Sequence, residues 1–314
     1  MAVNLTELVA TTLRNREKMV ADNVTNHNGL LRTMEDRGNI KNAGGGRDLT
    51  EPLLYNELAN KFYDGFETFT IDTSQEVIDA AVYDWKQLGG FSFISGKEKI
   101  MNRQKWQAVS IAESRIDALI AGLRNKTGEA LYGDGSGDGG KAFGGLALLV
   151  ADDPTAAGTV GGIDQVANAW WQNQHDVGVA IDPATFQSRM NAMQLACTRG
   201  ADQPDLIVAD RNTFTTYWET LQANMRHSSA RLADAGFRTL EFIGTPVVYD
   251  AQCPTDRMYF LNTKYLFFRK APERWFSTEK ARKVENADYD VIPNWTMGNL
   301  TTNARFLQGV IGGA

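Results

Sequence analysis

From Lys97 to about Leu131 apolar residues recur at helical spacing: Trp106, Val109, Ala112, Ile116, Leu119, Ile120 and Leu123 share one stripe, with Arg115, Asp117, Arg124 and Lys126 off it. Ser95, three residues before Glu98, makes a capping-box pattern that starts a helix there. At ~1.5 Å per residue a helix of about thirty residues spans ~45 Å, whereas ~11 or 12 residues is usual. The rest of the 314-residue chain has to be arranged around one long rod.

What precedes the rod has no core of its own. Residues 1 to about 46 open with Leu5, Leu8, Val9, Thr12 and Leu13 on one helix side and end in Gly44-Gly45-Gly46, which reads as an arm that needs another surface. Residues 47–97 read as strands forming a long hairpin, with Lys61–Phe69, Ala81–Trp85 and Gly90–Ile94 as strand-like runs and a polar tip at Asp72–Glu76. A two-stranded excursion of this kind is marginal alone and wants a partner.

After the rod come a glycine-rich loop, Tyr132–Lys141, and an apolar strand-like run, Gly144–Val150. A helix is predicted from Asp182 to Thr198, a buried strand at Asp205–Ala209, a helix from Asn212 to about Arg226, and strands at 239–249 and 257–269. This alternation makes a compact α/β or α+β centre. Residues 270–298 read as charged and irregular, and Asn299–Ile311 as a closing strand.

Enzyme signatures are weak. Gly135, Gly137 and Gly140 satisfy G-x-G-x-x-G, but a phosphate loop needs Ser or Thr where Ala142 stands, with a strand before it and a helix after it; here the order is reversed. Glycines after a helix are also the usual way to end one. His27, His175 and His227 lie far apart with no metal-ligand spacing, and Cys197 and Cys253 form neither a disulfide framework nor a nucleophile motif. The expectation is therefore no catalysis, no cofactor and no metal. A net charge of −6 argues against wrapping nucleic acid, no run of eighteen apolar residues could span a membrane, and the charged first twenty residues make no secretory signal. A soluble protein made in the cytoplasm is expected. The seven tryptophans, Trp85 among them, suit large contact anchors, and Lys280, Arg282 and Lys283 beside Glu279 and Glu285 suit a charge ladder between subunits or toward solvent.

This order of parts, with GGRDLTEPLLY at 45–55, FYDGFETF at 62–69, AAVYDWKQLGG at 80–90, ISGKEKIMN at 94–102, LYGDGSG at 131–137, TVGGID at 159–164 and WWQN at 170–173, resembles the major capsid proteins of tailed bacteriophages. The resemblance implies the α+β Hong Kong 97-type coat fold. Its parts would be an N-terminal arm (1–46), an E-loop hairpin with its strands (47–97), a P-domain (98–144 and 262–290) holding the spine helix at 97–131, and an A-domain (145–261 and 291–314). It also implies many copies of the chain assembling as hexamers and pentamers into an icosahedral virion shell in the host cytoplasm, around double-stranded DNA that is enclosed without specific binding. A separate scaffolding protein, a portal and a possible decoration protein are the implied partners. Assembly contacts would fall on Leu5, Leu8, Phe62, Tyr63, Phe66, Asp72, Glu76, Trp85, Lys280 and Arg282. Lys61 sits in the presumed E-loop, where some members bond a lysine to a neighbour's asparagine, but no acceptor can be named. A nanocompartment shell of the same fold and a nucleotide-dependent enzyme using Gly135–Lys141 are the alternatives.

Overall fold

A computed structural model describes residues 28–58, 60, 62, 64–66, 76–101, 111–221 and 239–313. Leu5, Leu8, Lys61, Tyr63 and Asp72 lie outside them, as do Trp106 and Val109 of the rod, His27 and His227.

The chain enters through helix α1 (Gly29–Asp36), whose Leu30, Leu31 and Met34 are buried and whose N-cap Asn28 accepts from Leu31 N. Strand β1 (Ile40–Asn42) leads to β2 (Leu49–Leu54), which pairs antiparallel with β3 (Ile78–Tyr83), Leu49 opposite Tyr83 and Leu54 opposite Ile78. The predicted hairpin therefore has a regular stem. Strand β4 (Lys86–Ser95) runs directly into helix α2 (Gly96–Met101). The capping box closes as its sequence requires: Ser95 N donates to Glu98 Oε2 at 3.0 Å and Glu98 N to Ser95 Oγ at 3.2 Å.

Helix α3 (Ile111–Ala130) supplies 20 residues of the rod, ~30 Å at the usual rise. Its Leu119 and Leu123 pack directly over the backbone of β4 at Gly90, where an added Cβ would sit 2.6 Å from Leu119 Cδ1 and would have to push that side-chain tip aside. Asp117, Arg124 and Lys126 are exposed as predicted. Arg115 is not, because it bridges to Glu98.

The apolar run after the glycine loop is not a strand. It forms one helical turn, α4 (Leu146–Leu149), because the carbonyls at the end of α3 and in the turn after it close around Gly145: a Cβ there would lie 2.3 Å from Ala130 O and 2.6 Å from Leu131 O and Gly133 O. Leu146 N then donates to Leu131 O at 2.7 Å, and two short strands, β5 (Thr159–Val160) and β6 (Ile163–Asp164), pair antiparallel further along.

The centre is a six-stranded mixed sheet, in spatial order β7 (Gln174–Asp176), β16 (Gly309–Gly312), β11 (Arg257–Leu261), β8 (Leu206–Ala209), β10 (Thr245–Tyr249) and β9 (Thr239–Phe242). Helices α5 (Pro183–Ala196), capped by Asp182, and α6 (Arg211–Thr220), capped by Asp210, cover one face. All four residues of β8 are buried. Leu206 and Val208 join the core shared with α1, α4 and Trp171, while Ile207 and Ala209 join the one under Phe186, Met190 and Tyr217. A strand covered on both faces shows no alternation, which is why it reads as a continuous apolar run.

A second six-stranded sheet holds β1, β4, β12 (Leu266–Lys270), β13 (Ser277–Thr278), β14 (Arg282–Lys283) and the 14-residue β15 (Tyr289–Thr302). The span read as irregular therefore contains the start of this strand, which pairs with β4 from Tyr289–Ser95 to Gly298–Lys86. Its charged and polar residues conceal it, since they alternate with Val291, Pro293, Trp295 and Met297. The closing segment is likewise two strands, because the turn at Arg305–Leu307 interrupts β15 and β16. No helix among the described residues is long and apolar enough to cross a membrane.

Candidate assembly surfaces

The β2–β3 ribbon is firmly held at its base and bare beyond it. Its strands alternate: Leu49, Glu51 and Leu53, with Ala81 and Tyr83, face inward and are buried, while Thr50, Pro52, Leu54, Ile78 and Val82 face outward. The inward side carries the anchor. Glu51, only 3% exposed, takes both arms of the Arg269 guanidinium (Oε1–Nε 2.6 Å, Oε2–Nη2 2.8 Å) and accepts from Thr301 Oγ1 at 2.9 Å. Arg269 is held in its charged form by this pair, its pKa pushed up by the Glu51 hydrogen bonds. Tyr83 OH donates to Thr302 O at 2.9 Å, and burial pushes its pKa up. Val82 N donates to Gly161 O, and Tyr55 stacks on Trp170 at 5.0 Å.

Among the described residues nothing covers the outward side. Leu54 is 76% and Ile78 69% exposed, opposite each other, and Phe62 and Phe66 are fully exposed beyond them. Isolated exposed apolar residues need no explanation, but a contiguous apolar stripe on a ribbon marks a contact surface. Glu76 is exposed as well. Trp85 is half-buried at the ribbon's foot, packed on the core and donating to Gly46 O at 3.1 Å. Lys280 and Arg282 are exposed on the far part of the β15 sheet, Arg282 paired with Glu279. The structure thus sets Phe62, Phe66 and Glu76 on one projection, Lys280 and Arg282 on another surface, and Trp85 between ribbon and body.

Sequence reasoning missed the residues that fix these surfaces. Glu51, Arg269 and Tyr83 meet partners more than 200 positions away. Arg305, fully buried, reaches Leu149 O (2.7 Å), Trp171 O and Asn173 Oδ1 (3.1 Å each) and Gln165 Oε1 (3.2 Å), all neutral acceptors. Burial lowers its pKa to about 10. It ties the loops after α4 to the last turn of the chain. Trp171, one of the seven tryptophans that suit contact anchors, is 1% exposed and belongs to this core instead.

The glycine loop offers no phosphate cradle. Asp134 accepts from Ser136 N and Oγ, closing the loop on itself, and Lys86 Nζ donates to Gly140 O at 2.6 Å. A cleft of about 250 Å³ beside it is lined by Leu88, Ala130, Phe143, Lys126, Asp138 and Lys141. Ala130 ends α3, so the helix presents its negative carbonyl end there, the wrong polarity for an anion. Among the described residues no three His, Cys, Asp or Glu side chains are placed to hold a metal ion. Burial pushes the Cys197 thiol up to about 12 and raises that of Cys253, which keeps both protonated and unreactive.

No protein-family model and no curated protein matches the sequence. Solved structures do match along the whole chain. A chain of the cyanophage A-1(L) capsid asymmetric unit superposes with a TM-score of 0.74 at 18% identity, covering 99% of this chain and 98% of that one. The capsid of an empty GTA particle gives 0.65 at 11% identity over 94% and 92%, and the capsid of Myoviridae phage XM1 gives 0.61 at 13% over 96% and 98%. The long helix, the ribbon and the two sheets thus lie in the order of a viral coat subunit, and the α+β Hong Kong 97-type fold implied by the sequence landmarks is the fold of this chain.

Proposed function

We propose that the chain is the major coat subunit of the icosahedral head of a tailed double-stranded DNA bacteriophage. The observation that carries the reading is the anchored ribbon: a projection fixed at its base by the buried Glu51–Arg269 pair, with an apolar outer face that one copy leaves uncovered. A monomer gains nothing from such a face, whereas a shell of identical subunits buries it in every copy. The likeness to capsid chains over nearly the full length supports the same reading.

In this account the β15 sheet with α3 is the peripheral domain, the sheet bearing α5 and α6 is the domain that meets around five-fold and six-fold axes, and the β2–β3 ribbon is the E-loop. The role is structural, without catalysis. The protein would belong to the virion, assemble in the host cytoplasm with a separate scaffolding protein, a portal and in some heads a decoration protein, and enclose DNA without specific contacts. The test is light scattering and negative-stain electron microscopy of the purified chain, alone and with a co-expressed scaffold candidate. Closed shells, or rings of five and six, are expected; a stable monomer or dimer under every condition would overturn the reading.

A further inference from the structure

An Asp–Gly pair is where a polypeptide most readily rearranges its own backbone, because glycine has no side chain to shield its amide nitrogen from the preceding carboxyl. The sequence has three such pairs, Asp64–Gly65 in the ribbon and Asp134–Gly135 and Asp138–Gly139 in the glycine loop. All three aspartates are exposed, so access of water does not separate them. What separates them is what each must break to bring the glycine nitrogen onto the carboxyl carbon.

The two pairs of the glycine loop are held away from that geometry. Asp134 Oδ1 is turned to Ser136, accepting from its N at 2.9 Å and its Oγ at 2.7 Å. These bonds keep its carboxyl below the ordinary carboxylate range, whereas loss of water needs the protonated acid. Asp138 stands in the left-handed region at φ 53° and ψ 37°, inside a turn closed by Gly140 N on Ser136 O at 2.9 Å and Lys141 N on Gly137 O at 3.2 Å. Closing a five-membered ring requires Cβ and the next nitrogen to eclipse about the Cα–C bond, and Asp138 reaches that only by rotating out of its turn. Asp64 is under neither constraint. Its Oδ1 accepts from Gly65 N at 2.9 Å, which sets the nitrogen beside the carboxyl it would attack. Among the described residues no other hydrogen bond or ion pair involves Asp64 or Gly65, and none lies within 4 Å of where a Gly65 Cβ would stand.

We infer that Asp64–Gly65 is a site of spontaneous isomerisation to isoaspartate in the unassembled subunit. Gly65 N forms a bond to Asp64 Cγ and gives up its proton, the carboxyl OH leaves with that proton as water, and a succinimide results. Water then adds to one of the two ring carbonyls. At Cγ it restores aspartate; at the main-chain carbonyl it breaks the bond from Asp64 C to Gly65 N, and the chain thereafter runs through Cβ and Cγ. One water is lost and one gained, and nothing is oxidised or reduced. The product lengthens the main chain by one methylene between the exposed Phe62 and Phe66 and leaves the former main-chain carbonyl as the free carboxylate. Given the coat reading, a subunit that waits outside a shell is altered on its assembly projection.

The test is incubation of the purified, unassembled full chain at neutral pH in water enriched in heavy oxygen, since each passage through the succinimide leaves one solvent oxygen in the carboxylate. Digestion in ordinary water and fragmentation mass spectrometry read each aspartate separately. Asp64 is expected to take up label about tenfold or more faster than Asp134 and Asp138, and the three rates to converge within about threefold in urea, where the turns are gone. Gly65→Ala should slow labelling at Asp64 by about tenfold or more and leave the other two unchanged. Gly65 has no left-handed φ and open space around it, so this variant's thermal midpoint should stay near wild type. Labelling at Asp64 no faster than in the glycine loop, an unchanged order of rates in urea, or wild-type labelling of Asp64 in Gly65→Ala would each overturn the assignment. These rates are read on the free subunit, so a chain that never forms shells overturns the coat reading and leaves the isomerisation result standing.

Discussion

The β2–β3 ribbon and the central sheet solve opposite problems with the same residue types. In the central sheet β8, β11 and β10 are covered by α5 and α6 on one face and by α4 and Trp171 on the other, so Phe260, Val208 and Val247 contribute directly to the stability of the single chain. In the ribbon Leu54 and Ile78 are as apolar but contribute nothing until another surface arrives. The difference teaches that apolar content alone does not locate a core: what decides is whether both faces of a strand are covered within one chain.

Breaking each region in turn sharpens the contrast. The largest loss is expected from Phe260→Ala, which empties a fully buried site between sheet and helices and costs ~3–5 kcal/mol; chemical denaturation of the subunit checks it. Next comes Glu51→Ala at the ribbon's base, about 2–4 kcal/mol, since it strands the Arg269 guanidinium and a Thr301 hydroxyl; Glu51→Gln should recover part of this by keeping the hydrogen bonds.

Glu98 gives a smaller, pH-dependent effect. Hydrogen bonding to Arg115, and then to Ser95, holds its carboxyl at about 2, below the ordinary 4.5. A carboxylate with a depressed folded-state pKa adds stability that is complete above its unfolded value and is lost as pH falls from about 4.5 towards 2. Glu98→Gln should therefore lower the thermal midpoint at neutral pH, by on the order of 2 kcal/mol in stability, and flatten the wild type's decline in that acid window. Ile78→Ser on the ribbon's outer face should change subunit stability least, by less than about 0.5 kcal/mol, while reducing particle yield. An Ile78→Ser loss matching that of Phe260→Ala would erase the contrast.

Local signals in the sequence were legible because their physics is local. The Ser95–Glu98 capping box, the Asp182 and Asp210 caps and the α3 stripe each involve residues within a turn or two. The apolar run of β8 was legible because a strand covered on both faces needs nothing else. What stayed hidden depends on distant partners. The turn at Leu146 follows from the carbonyls at and just after the end of α3 closing on Gly145, the early start of β15 from its pairing with β4, and the ribbon's anchor from Arg269 and Thr301 meeting Glu51 across 218 and 250 positions. Arg305 reads as an ordinary surface arginine until its four neutral acceptors are assembled around it.

The most direct measurement compares the wild type with a chain in which residues 56–76 are replaced by Asn-Gly. Tyr55 N already donates to Val77 O, so a two-residue turn closes the stem without strain. The shortened subunit should melt within about 2 °C of wild type and form no shells. Shells of normal size and yield from that chain would contradict the assignment of the ribbon to assembly.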